Sequence, residues 1–184
     1  MEHYMGAVKH NENTVKKLNQ VVHDINRGKQ KLFYAVSGTM LLLAGALGKM
    51  DQRISLVLLA MGCWCLQAVN YGARARTAEM KKALNGYYPS IHYSFKDDKV
   101  DMRIKQWEEC VEYKGIVRLA YDRKYVYFFP EPTSIYMIER ESIMPGTFPD
   151  FCRFLSEKTG CDWIELDASN VQKVCRAVKK LIKK

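Results

Sequence analysis

Two uncharged apolar runs stand out, Leu32–Gly48 (LFYAVSGTMLLLAGALG) and Ile54–Tyr71 (ISLVLLAMGCWCLQAVNY), separated by five mostly polar residues. Neither carries a polar stripe, the feature that marks a helix lying on a soluble core. At 1.5 Å per residue they reach roughly 25–27 Å, the short end of what crosses a hydrocarbon layer of about 30 Å. The pattern predicts a hairpin of two membrane-spanning helices over 32–71, with spans 32–48 and 54–71. Before it, Val15, Leu18, Val22 and Ile25 recur at helical spacing, with Asn11 or Asn13 as cap and Gly28 as stop. Residues 1–31 are therefore read as a segment built on an amphipathic helix. Residues 72–88 continue as a helical connector until Asn85-Gly86.

From Pro89 the period changes to two. Ile91, Tyr93 and Phe95 alternate with polar neighbours, and so do Val100, Met102 and Ile104 after a Lys96-Asp97-Asp98 turn. Short strands are expected over Cys110–Tyr113, Ile116–Tyr121, Tyr125–Phe129 and Ser134–Ile138, with Asp122-Arg123-Lys124 as a hairpin turn. The aromatic density of Tyr125–Phe129 (YVYFF) requires cover on both faces. A helix over 148–158 follows, with Phe151, Phe154 and Leu155 on one side. Strands closed by a helix make an antiparallel α+β domain over 89–184.

Charge gives this architecture a direction. The 184 residues carry a net +9, with 12 Lys and Arg against 5 Asp and Glu over 1–84, 11 against 15 over 85–167, and 6 against none over 168–184. Lys16, Lys17, Arg27, Lys29 and Lys31 precede the first span, and Arg74, Arg76, Lys81 and Lys82 follow the second; only Lys49 and Arg53 lie between. Positive flanks stay on the cytoplasmic side, so both termini are expected in the cytoplasm and the loop outside, in the plasma membrane. The basic residues suit anionic lipid rather than nucleic acid, which calls for a basic folded face. Arg74, Arg76, Lys81, Lys82 and, in the last helix, Lys179, Lys180, Lys183 and Lys184 are the candidate lipid contacts. That helix, 168–184, has an apolar stripe (Val171, Val174, Val178, Leu181) that either packs on the domain or lies on the membrane.

Within the spans, Gly38 and Gly45 share a face, and Ala44 and Gly48 form a small-xxx-small pair. These four are candidate packing positions, serving either the two spans of one chain or self-association. No charge lies mid-span, which disfavours a transport pathway.

The order of two close apolar spans, then YSFKDDKVDMRI, then EYKGIVRLAYDRKYVYFF, then IYMIERESIMPGTFPDFCRFLSEKTG resembles the YcxB-like family of bacterial membrane proteins over about residues 30–160. The resemblance implies a pleckstrin-homology-like (PH-like) C-terminal domain, a curved antiparallel sheet closed by a helix, and carries no catalytic residues with it. An additional strand over 161–166 and the last helix extend that pattern.

Six cysteines lack CxxC or Cys/His metal spacing and are read as reduced. No GxSxG, HExxH, phosphate-loop or GxGxxG motif occurs. His92 is expected on a polar strand face and Trp107 in the core. The resulting expectation is a membrane-anchored binding module for lipid, a protein partner or a second copy, with no cofactor and no catalysis; an oligomeric transport or channel component is the alternative.

Overall fold

The computed structural model describes residues 2–48, 51–105 and 107–167. The predicted C-terminal helix, with Lys179, Lys180, Lys183 and Lys184, lies outside them. The protein is α+β, with four α-helices and two four-stranded sheets among the described residues. It divides into two compact units, residues 10–88 and residues 1–9 joined with 89 onward.

The first unit is helical. Helix α1 (Glu12–Leu47) opens on a capping box: the Asn11 side chain accepts from Thr14 N–H at 3.0 Å, and Thr14 Oγ1 accepts from Asn11 N–H at 2.7 Å. The expected stop at Gly28 is instead a kink at Arg27 (φ −122°, ψ 21°), beyond which the helix resumes to Leu47. Glycine costs helix stability without forbidding a helix, and the apolar run behind it carries the chain on. Helix α2 (Gln52–Ala68) starts at an Asp51 cap, and α3 (Tyr71–Leu84) ends at Asn85 (φ 45°) and Gly86 (φ 79°). The second apolar run thus breaks at Val69–Asn70, short of Tyr71, where polar Gln67 and Asn70 thin the pattern. Helix α1 pairs with α2 over its second half. Over its first half it meets α3, where Asn19 Nδ2 reaches Met80 Sδ at 3.6 Å and Lys81 binds Glu12. By length and composition α1 suffices to cross a membrane, as do α2 and α3 together across a 50° bend.

The second unit holds two sheets. Strands β1 (Tyr4–Lys9), β2 (Ser90–Phe95), β3 (Lys99–Ile104) and β4 (Trp107–Glu112) form one antiparallel sheet in that order. The other has the order β7-β6-β5-β8, from β5 (Arg118–Tyr121), β6 (Tyr125–Phe129), β7 (Tyr136–Glu139) and β8 (Trp163–Glu165). Two sheets therefore replace the single curved sheet expected. The added strand β8 runs parallel to β5, since the chain returns through helix α4 (Phe148–Thr159) before pairing. Strand β6 lies between two neighbours and is buried at all five positions, as its aromatic run required.

Strand β1 is not among the elements the periodicity predicts, which puts residues 4–9 in the segment of the amphipathic helix. Its residues pair with β2 from Tyr4↔Phe95 to Lys9↔Ser90, and its other edge bonds to Met144 and Ser142. The helical unit is thus an insertion in the connection between two paired strands. The core of the unit gathers aromatics from both sheets and α4. Phe95 meets Phe151 edge-on at 5.0 Å, Tyr93 meets Phe128 at 5.7 Å, and Tyr4 meets Phe151 at 5.3 Å. Trp107, expected in the core, is 58% exposed on the sheet-edge strand β4.

Gly6 marks the close approach of β1 to β7: a Cβ there would lie 2.7 Å from Ile138 Cγ2. Gly6→Val is predicted to destabilise the chain by about 1–3 kcal/mol through overpacking. Gly115→Ala, where an added Cβ meets nothing within 4 Å, stays within about 1 kcal/mol of the parent. Urea unfolding followed by near-ultraviolet circular dichroism compares the two; equal effects would contradict the seam assigned to β1.

Candidate functional site

The helical hairpin is the candidate site, because its surface and its packing obey different rules from those of the aromatic core. In the segment Leu32–Leu47 only Gly38 and Gly45 are buried, and in α2 only Gly62. Twelve large apolar side chains between Leu32 and Leu66 are at least 39% exposed, among them Phe33, Met40, Leu47, Leu56 and Trp64. Scattered exposed leucines are ordinary on soluble proteins, but a contiguous sleeve of this size marks an interaction surface. Leaving it in water costs on the order of 15 kcal/mol relative to an apolar environment.

Glycine sets the contact between the two helices. A Cβ on Gly38 would lie 3.1 Å from Gly62 O and Cys65 Cβ, one on Gly45 would lie 3.0 Å from Ser55 O, and one on Gly62 would lie 2.7 Å from Leu42 Cγ. Backbone meets backbone at these points, which is how helices associate where no hydrophobic force drives them together. Gly62 is not among the expected packing positions; its signal is that it is the one glycine of the second apolar run. Ala44 is exposed, and Gly48 is half-buried and ends α1, its N–H donating to Ala44 O at 3.0 Å. Gly38 and Gly45 thus face α2, whereas Ala44 is turned outward.

The basic flank is uneven. Arg74, Arg76 and Lys82 are exposed on α3, whereas Lys81 is half-buried and bound to Glu12 Oε2, an ion pair that raises the lysine pKa and lowers that of the carboxyl. Three of the four predicted lipid contacts on this helix therefore keep their charge at the surface. In the α+β unit His92 is exposed. Asp122 is buried at the β5–β6 turn, accepting from Lys124 N–H, Tyr125 N–H and the Tyr127 hydroxyl at 2.7–2.8 Å. That carboxylate orders a turn and presents no open face.

The five described cysteines are free; burial pushes the Cys152 thiol up to about 11. Among the described residues no group of three or more His, Cys, Asp or Glu is placed to hold a metal ion. Comparison with protein-family models, with curated proteins and with solved structures finds no match.

Gly62→Leu is predicted to lower hairpin stability in detergent by about 1–3 kcal/mol, read from thermal loss of helical circular dichroism. Ala44→Leu, on the outward side, stays within about 0.5 kcal/mol. Sensitivity at Ala44 matching that at Gly62 would contradict the assigned contact face.

Proposed function

We propose that the chain is a membrane-anchored binding module, in which α1 from Leu32 and the α2 segment cross the plasma membrane as a hairpin and the α+β unit works on the cytoplasmic side. The observation that carries this reading is the exposed apolar sleeve of the hairpin, whose helices bury little beyond their glycines. In water such a surface needs a partner to cover it, whereas hydrocarbon solvates it directly and the helices spare their backbone any unsatisfied group.

Strand pairing adds a second support. Lys9 is registered opposite Ser90, so the chain leaves and re-enters the α+β unit at neighbouring points. Between them it crosses a membrane an even number of times, which favours two crossings over one. The positive flanks, nine Lys and Arg against two in the loop, favour the cytoplasm as the side of both ends.

The α+β unit is proposed as a PH-like domain of the YcxB-like kind. Its two sheets, with α4 packed on their shared core, are compatible with that architecture. The function proposed is binding rather than catalysis: anionic lipid through Arg74, Arg76 and Lys82, and a protein partner or second copy through the domain.

Sidedness is tested with a membrane-impermeant maleimide on single-cysteine chains. Cysteine placed at Gln52, exposed at the start of α2, is predicted to react in intact cells, and exposed Cys110 on β4 only after lysis. Labelling of Cys110 from outside would reverse the orientation, and labelling of position 52 only after lysis would remove the crossings.

A further inference from the structure

A cavity of about 520 Å³ opens within the helical unit, between the start of the apolar part of α1 and the end of α2. Both helices are interrupted beside it: α1 by the kink at Arg27, and the second apolar run by the Val69–Asn70 break. Its walls combine two permanent cations, Arg27 and Lys31, with the amides of Gln30 and Gln67 and the rings of Tyr34 and Trp64. Among the described residues no carboxylate lines it. Asp24 stands beside the lining, 2.9 Å from Lys31 Nζ and 3.8 Å from His23 Nδ1, and offsets one of the two charges.

One buried polar atom here, His23 Nδ1, lacks a hydrogen-bond partner. His23 lines the cavity with a side chain 11% exposed, its ring packed against Gly72, where a Cβ would come within 3.2 Å of Cδ2. Unpartnered buried polar groups call for a ligand or water. The volume lies in the range of small-ligand sites.

From this we infer that the cavity holds the phosphate of an anionic phospholipid headgroup. The inference rests on the membrane reading, which places this end of the hairpin at the level of the inner headgroups, where Trp and Tyr concentrate. A guanidinium offers a phosphodiester paired donors, and Lys31 adds a point charge. Gln30 and Gln67 supply neutral donors, and the aromatic walls suit the glycerol and first acyl carbons. Lipid reaches such a site laterally, and the ligand stays membrane-bound. This is a site distinct from the exposed arginines of α3, which attract anionic lipid only diffusely.

The test uses the full chain in mild detergent, with native mass spectrometry counting retained lipid. Phosphatidylglycerol is expected to be retained at about one per chain and about tenfold better than phosphatidylcholine. Arg27→Gln combined with Lys31→Gln abolishes that preference, while Arg53→Gln, at an exposed cation outside the cavity, leaves the retained lipid in place. Should the first variant lose helical circular dichroism, Gln67→Leu carries the same readout and weakens retention. No preference in the parent chain, unchanged retention in the cavity variants, or equal loss from Arg53→Gln would overturn the site. Displacement by inorganic phosphate would overturn the lipid as the source of the group. Fractionation of the same cells separates this from the reading beneath it: a chain in the membrane pellet without lipid preference contradicts the cavity alone, whereas a chain in the soluble fraction contradicts the anchoring.

Discussion

The hydrogen-bonded pairing of β1 with β2 governs the rest of the architecture. Six residues from the start of the chain bond along a strand some eighty positions later, from Tyr4↔Phe95 to Lys9↔Ser90. Everything between is a closed excursion. A loop of that length costs little more entropy to close than a much shorter one, because the penalty grows only with the logarithm of its length. The other edge of β1 bonds to Met144 and Ser142, so a single strand joins the first sheet to the segment that follows β7. An excursion that begins and ends on one strand pair returns to the side it left, and the proposed topology draws on that.

The two units solve the problem of apolar surface in opposite ways. In the α+β unit the aromatics turn inward: Phe95, Tyr127, Phe128, Phe129 and Phe151 are fully buried. In the hairpin the large apolar residues turn outward and the glycines inward, so that Gly38 and Gly62 bring the two backbones together. Water drives the first arrangement and would penalise the second; hydrocarbon is indifferent to where leucine points and rewards close backbone packing. The proposed anchoring follows from that inversion, and the cavity at the kinked end is where apolar wall gives way to polar wall.

Much of this was legible in the sequence, where periodicity was strong and local. The alternation of Ile91, Tyr93 and Phe95, the doubly covered Tyr125–Phe129 strand, the Asn85-Gly86 stop and the Phe151/Leu155 face all stand where the pattern places them. What escaped depended on distant partners. Strand β1 contains Gly6 where a large residue would have completed its alternation, and the reason, the approach of Ile138, lies over 130 positions away. Trp107 reads as core by size but sits on an edge strand. Gly62 and the cavity around Arg27 and Trp64 arise only when α1 and α2 lie side by side. Gly28 signalled an interruption whose form, a kink rather than a stop, was decided by the apolar run behind it.

The most direct test of the account is extraction of native membranes with alkaline carbonate, followed by size-exclusion chromatography without detergent. A hairpin whose apolar sleeve is solvated by lipid remains in the carbonate pellet and requires detergent to leave it. Full-length chain released by carbonate and monodisperse in detergent-free buffer would contradict it.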